Sequence, residues 1–203
     1  LALVGGALRR NRQEGGEPLP AGLAAAVPAS HQDILPGSER GNKLNQHRVP
    51  LHVDSDSGLV RLRAIQQSAG DTRQTADVIG HDLLRQLADE LPTRITSAVV
   101  DSLLGDYLNI VVSTVRGPDV PMYIAGAQLN RFYPIGVVKN GVGLNVTGFN
   151  YCGKLWATVV SCRKMVPDPE VFADSLRQSF AALVAEVDRE EQERRGELGT
   201  GAP

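Results

Sequence analysis

Between Asn109 and Pro169 the chain runs as short apolar stretches cut by glycine and proline: LNIVVSTVRGP, then PMYIAGAQLNRFYP, then GVGLNVTGFNYCGKLWATVVSCRKMVPDP. Runs of this length, rich in Val and Ile and bounded by turn residues, are strands rather than helices. Polar residues sit inside them: Asn109 and Ser113 in the first, Asn145 in the last. An amide or hydroxyl in the middle of a buried strand must find a partner or cost about 1–3 kcal/mol. Strands that carry such groups often line a site.

The rest of the chain reads as follows. Residues 1–13 predict a helix with Leu3, Ala7 and Leu8 on one face, Arg9, Arg10 and Arg12 near its favourable carboxy-terminal end, and Gly15-Gly16 as its stop. Residues 23–28 predict a buried strand ending at Pro28. A turn-rich loop (30–42) leads to an extended segment (43–53), which Pro50 restricts to a sheet edge or a bulge. Leu59, Leu62 and Ile65, then Ile79, Leu83, Leu87 and Leu91, recur at helical spacing up to Pro92, and ITSAVVDSLL supplies a further helical segment. Strands are expected at 107–115, 120–125, 142–149 and 155–161, the last two as a hairpin around Gly153-Lys154. Apolar residues on both faces of 155–161 make that strand a central one. Pro167 and Pro169 precede a last helix with core face Phe172, Leu176, Phe180, Leu183 and Val187. The charged segment that follows should fray. The class is α/β of the α+β type, a mixed sheet with flanking helices. Residues 1–192 read as one lobe and 193–203 as a disordered tail.

Composition excludes several functions. The formal net charge is -2 with acids and bases mixed, which suits neither a nucleic-acid partner nor a polybasic membrane anchor. No run of 18 apolar residues exists, so no transmembrane segment is expected, and LALVGGAL lacks the basic flank of a signal peptide. Cys152 and Cys162 flank a hairpin whose register sets Cys162 near Leu144, so no disulfide is expected and the chain fits a reducing cytoplasm. They lack the second pair that a zinc site needs, and no other metal site is evident. GGAL and GVGL are not followed by the Gly-Lys-Ser/Thr of a phosphate loop. None of the four His (31, 47, 52 and 81) is adjacent to another, none is followed by Asp-Gly, and neither Cys has a His nearby in sequence.

The order of these blocks resembles the carboxy-terminal half of the bacterial wax ester synthase/diacylglycerol acyltransferase family. LALVGGALRR is similar to the helix after the family's Asn-Asp motif, GNKLNQHRVPLHVD to its Gly-Asn segment, and SGLVRLRAIQQSAGDTR to the next amphipathic helix. Gly117-Pro118, Gly126, Tyr133-Pro134, Leu144-Asn145 and Tyr151-Cys-Gly-Lys-Leu155 keep the family's order. The resemblance implies one lobe of a CoA-dependent acyltransferase fold, like that of chloramphenicol acetyltransferase. It also implies the activity: transfer of an acyl group from acyl-CoA, a co-substrate rather than a bound cofactor, to diacylglycerol or a fatty alcohol. The family's catalytic His-His-x-x-x-Asp-Gly lies in its amino-terminal half and does not occur here. The chain thus reads as half of a split or truncated enzyme, with no catalytic residue of its own and an amino-terminal acyltransferase half as partner. Two alternatives stand beside it, a non-catalytic partner of such a half and a remnant lobe that binds lipid or acyl-CoA. The place of work is the cytoplasm, with attachment to a membrane or lipid-inclusion surface left open.

In a tunnel between two lobes this half would supply wall and polar positioning groups. Ser113 and Thr114 could donate to an oxyanion or thioester carbonyl, or bond local backbone before the turn. The family pattern Ser-Asn-Val-Pro-Gly-Pro appears as Ser-Thr-Val-Arg-Gly-Pro, which puts the turn geometry in question. Arg116 could meet a CoA phosphate or simply be solvated. Asn145, with Thr147 on the same strand face, could orient substrate or tie structure together. Asn42 could do the same or form an Asx turn. Tyr151 stands in the family's position, after Asn150 where Ser is usual.

Overall fold

The computed structural model describes residues 1–16, 18, 22–30, 44–76, 110–138 and 142–199. Among them the order is α1 (Ala2–Glu14), β1 (Ala24–Ser30), β2 (Leu44–Pro50), α2 (Gly58–Ala76), β3 (Ile110–Arg116), β4 (Tyr123–Ile124), β5 (Ala127–Gln128), β6 (Leu144–Tyr151), β7 (Lys154–Ser161) and α3 (Pro169–Gly199). The helical segments expected around Ile79–Leu91 and in ITSAVVDSLL lie outside the described residues, as does Asn42. Two compact units form, one from Leu1–Leu23, Pro50–Ser68 and Asp168–Pro203, the other from Ala24–Val49 and Ala69–Pro167.

In the helical unit α1 runs against α3. Ala2, Gly5, Gly6 and Ala7 are buried along α1. A methyl group at Gly5 would overlap the Leu51 carbonyl, and one at Gly6 would overlap the Ser179 hydroxyl. The facing side of α3 is Phe172, fully buried, with Ser175 and Ser179. Phe180, expected in the core, is 54% exposed. The physical reason is helical pitch: each four-residue step overshoots a full turn by about 40°, so Phe172 and Phe180 do not share a face. The helix also continues as far as Gly199, through the segment in which fraying was expected.

The start of α2 is held from α3. Ser57 precedes the helix and accepts the Val60 N–H at 3.2 Å. Glu186 accepts the N–H groups of Gly58 and Leu59, both at 2.9 Å, and the Ser57 hydroxyl at 2.6 Å. Amides that a helix start leaves unpaired are thereby satisfied by a carboxylate placed where the helix dipole favours it.

Among the described residues the other unit holds a five-stranded sheet in the order β2-β1-β3-β6-β7 and the small β4-β5 sheet. β1–β3 and β3–β6 are parallel, and β6–β7 is antiparallel. The edge place of β2 is what Pro50 predicted. β7 is also an edge, not the expected central strand. Apolar residues on both faces report that both faces are covered in part, which is independent of pairing along both edges: Leu155 is half exposed, while Trp156 is covered by Tyr133. β1 runs through Pro28 to Ser30, since the proline ring fits an extended chain and removes only one donor, beyond the paired residues Ala25 and Ala26. The expected strand 120–125 contracts to Tyr123–Ile124, paired with Ala127–Gln128. The β6–β7 turn is Cys152-Gly153, one residue earlier than expected, and both turn residues have positive φ (48° and 72°), as a two-residue type I′ turn requires. Cys162 donates its N–H to Gly143 at 2.7 Å, next to Leu144, and both cysteines are free.

Candidate functional site

Strand register decides which of the polar residues meet. Residues paired across a sheet share a face, and successive residues alternate. Ser113 pairs with Thr147, and Thr147 pairs with Thr158. A row of three hydroxyls therefore crosses β3, β6 and β7 on one face. The row on one side of it is Val111, Asn145 and Val160; on the other it is Val115, Phe149 and Trp156.

The chain between β5 and β6 lies over this face. Phe132 stacks on Phe149 with centroids 4.1 Å apart, and Tyr133 meets Trp156 edge-on at 5.5 Å. Asn145 Nδ2 donates to the Val137 carbonyl at 3.0 Å. Asn145 Oδ1 accepts the Thr147 hydroxyl at 2.8 Å. Gly136 is pressed so closely onto the Asn145 amide that any side chain there would overlap it. The preceding hairpin is held by Tyr151, whose hydroxyl donates to the Leu129 carbonyl and accepts the Met122 N–H, both at 2.8 Å. Gly117 runs so close to β6 that a Cβ would overlap the Asn150 carbonyl and the Phe149 ring.

Three donors on the covered face remain unspent. Thr158 Oγ1 and Trp156 Nε1 are buried without a hydrogen-bond partner. Ser113 Oγ, half-buried, makes no hydrogen bond among the described residues. Fully buried donors in this state, here Thr158 Oγ1 and Trp156 Nε1, are rare in folded proteins and have a strong need of an acceptor. Chemically, such a row can hold a carbonyl or an alcohol oxygen.

The residues singled out from sequence separate accordingly. Ser113 and Asn145 come together on one face, joined through Thr147. Thr114 is on the opposite face, exposed beside Gly148. Arg116 is also on that opposite face, 86% exposed and loosely paired with Asp119 at 3.7 Å. Tyr151 has its hydroxyl fully occupied by the two backbone bonds. Thr158 and Trp156 were not anticipated. The signal for them was present in the hairpin: a turn at Cys152-Gly153 sets Thr158 opposite Thr147.

Elsewhere, His52 Nε2 lies 3.0 Å from Ser68 Oγ. No carboxylate orients that imidazole among the described residues, so the pair lacks the third member of a nucleophilic triad. No group of three or more His, Cys, Asp or Glu that could hold a metal forms among the described residues. No helix among the described residues is long and apolar enough to cross a membrane.

A parallel β1-β3-β6 core, finished by an antiparallel hairpin and accompanied by helices, defines an α/β lobe with a mixed sheet. The fold matches the wax ester synthase/diacylglycerol acyltransferase of Marinobacter aquaeolei VT8 with a TM-score of 0.65 at 21% identity, over 91% of this chain and 41% of that one. The chain belongs to the family described as WS/DGAT C-terminal domain, whose model matches residues 40–184. It is 25% identical to the O-acyltransferase WSD of Acinetobacter baylyi over 193 residues, 94% of this chain and 42% of that protein. It is 30% identical over 166 residues to a Mycobacterium tuberculosis protein named as a candidate diacylglycerol O-acyltransferase, covering 79% of this chain and 35% of that one. The chain thus spans well under half the length of the relatives it matches.

Proposed function

We propose that this chain is the carboxy-terminal part of a long-chain acyl-CoA:diacylglycerol O-acyltransferase, with fatty alcohols as a second acceptor class. In this reading the face that carries Ser113, Thr147 and Thr158 is one wall of the acyl-transfer tunnel. The observation that carries it is the pair of buried, unpartnered donors Thr158 Oγ1 and Trp156 Nε1, in register with the half-buried Ser113, on one face of a lobe from this family. When an alcohol attacks the thioester, negative charge gathers on the carbonyl oxygen, and fixed donors in a water-poor site stabilise it. Acyl-CoA enters as co-substrate. The general base that takes the alcohol's proton comes from an amino-terminal half, because no double-His motif lies within these 203 residues.

The exposed apolar surface of the β4–β5 hairpin and of the loop after it supports a partner for this unit. Ile124, Ile135 and Val137 are 67%, 78% and 76% exposed, more than a free loop needs.

The test is reconstitution. The purified chain is assayed with oleoyl-CoA and diolein, alone and co-expressed with a fragment bearing His-His-x-x-x-Asp-Gly. We expect no turnover alone and turnover in the pair, with Ser113→Ala or Thr158→Val lowering kcat about a hundredfold, the usual effect of losing one oxyanion donor. A steady rate from the chain alone, or undiminished rates in both variants, counts against the reading.

A further inference from the structure

The helical unit contains a cavity of about 170 Å³, well below the roughly 300–1,000 Å³ of pockets that take whole small molecules. Its walls are Gly6, Arg10 and Gln13 of α1, Arg61 of α2, and Ser179 and Ala182 of α3. We propose that it binds a phosphate-type oxyanion, as a site separate from the hydroxyl-bearing face of the sheet.

Four observations support this. Arg61 is 3% exposed, a burial that a guanidinium tolerates only among acceptors or beside an anion. Its Nε donates to the His52 carbonyl and its Nη2 to the Ser55 carbonyl, both uncharged acceptors. Its Nη1 makes no hydrogen bond among the described residues and packs so close to Gly6 that a Cβ there would overlap it. Ser179 Oγ lies against Gly6 in the same way, and Ser179 lines the cavity. Ser179 is 8% exposed, and its hydroxyl has no partner among the described residues. Arg10, on the cavity wall, likewise makes no ion pair or hydrogen bond among the described residues.

On the cavity wall Arg9, Arg10 and Arg61 meet two carboxylates, Asp56 and Glu186, and Asp54, outside the lining, also acts on Arg61. Both carboxylates of the wall are already engaged, Asp56 by Arg9 and Glu186 by Ser57 and the first amides of α2. What remains unspent is a hydroxyl, two guanidinium edges and the Gln13 amide, a donor set that matches a tetrahedral oxyanion and discriminates against cations.

The experiment titrates the 203-residue chain at low ionic strength with inorganic phosphate and, separately, with adenosine 3′,5′-bisphosphate, followed by calorimetry and phosphorus NMR. Arg10→Gln and Ser179→Ala leave the buried Arg61 in place, and circular dichroism checks that both fold. Saturable binding is expected, weakened about tenfold by Arg10→Gln and several-fold by Ser179→Ala, as loss of a charged and a neutral donor would do. Arg177→Gln, on the exposed side of α3, should leave it unchanged. Tighter binding of the bisphosphate assigns the site to a phosphate borne on a nucleotide; equal or weaker binding assigns it to the free ion. No saturable binding of either probe, or equal weakening by Arg177→Gln, overturns the proposal.

Discussion

Ser57 and Glu186 are joined by a 2.6 Å hydrogen bond across a sequence separation of 129 residues. A cap is normally a local device, made by the residue before the helix. Here the local cap, Ser57 to Val60, is completed by a carboxylate from another helix. The first turn of α2 therefore depends on where α3 lies, and α3 in turn lies where Gly6 lets α1 approach. Local structure and packing of the helical unit are one cooperative arrangement.

That arrangement predicts a pH dependence. Burial alone would raise the Glu186 pKa, but the Ser57 hydroxyl, the Leu59 and Gly58 amides and the Arg61 charge together hold it below its ordinary value. A carboxylate whose folded pKa is depressed adds stability above its unfolded pKa, about 4.3. That contribution disappears as pH falls through the lower folded value. Glu186→Gln should cost about 1 kcal/mol at pH 7, a cap lost from a partly solvated site. The cost should shrink below pH 4. Urea denaturation of both proteins from pH 3 to 7 measures this, and a cost independent of pH would contradict the account.

Asn145 bridges strand and loop, so its removal should free the loop first. Asn145→Ala leaves the Thr147 hydroxyl and the Val137 carbonyl without their partner and should destabilise by about 2 kcal/mol. Hydrogen exchange should rise in residues 130–138 more than in β3. The double variant Asn145→Ala/Thr147→Val removes one of the orphaned groups and should recover part of the loss. If exchange rises equally over the whole sheet, Asn145 does not act through the loop.

Tyr151 carries two backbone bonds on one oxygen. Tyr151→Phe should cost about 1–2 kcal/mol and loosen the β4–β5 hairpin. Tyr123 in that hairpin is 64% exposed, so chymotrypsin should cut there faster in the variant. A role in binding substrate through the hydroxyl would instead lower activity of the reconstituted enzyme without changing the cleavage rate.

Most of the strands, in their order along the chain, were legible because Gly and Pro cut the sequence into runs of strand length, and Pro50 marked an edge or a bulge. The position of β7 was not legible, because face burial and edge pairing leave the same apolar composition. The α3 face was misjudged at Phe180 because a four-residue repeat drifts around a helix, whereas Ser175 and Ser179 gave no hydrophobic signal at all. At the candidate site Ser113 and Asn145 were visible as polar residues inside apolar runs. Thr158 was equally polar in an equally apolar run, but its relevance depended on a register that a one-residue error in the turn would have reversed. Thr114 was paired with Ser113 by adjacency, although neighbours on a strand face opposite sides.

That turn offers the sharpest check on the register. Cys152 has φ 48° and Gly153 φ 72°, the left-handed pair of a type I′ hairpin. A side chain with a Cβ pays about 1–2 kcal/mol for this conformation, less for Asn, whose amide can bond nearby backbone. Cys152→Asn produces the favoured Asn-Gly turn and should stabilise the protein by about 0.5–1 kcal/mol. Cys152→Val, branched at Cβ, should destabilise it by a similar amount or more. Ala125, with φ 50° before Gly126, is the internal control: Ala125→Asn should also stabilise, but less, because the two-residue strands it joins bury little. If Asn at 152 were neutral or harmful while Asn at 125 helped, the β6–β7 turn would not be type I′. Thr158 would then lose its place opposite Thr147, and with it the hydroxyl row on which the site depends.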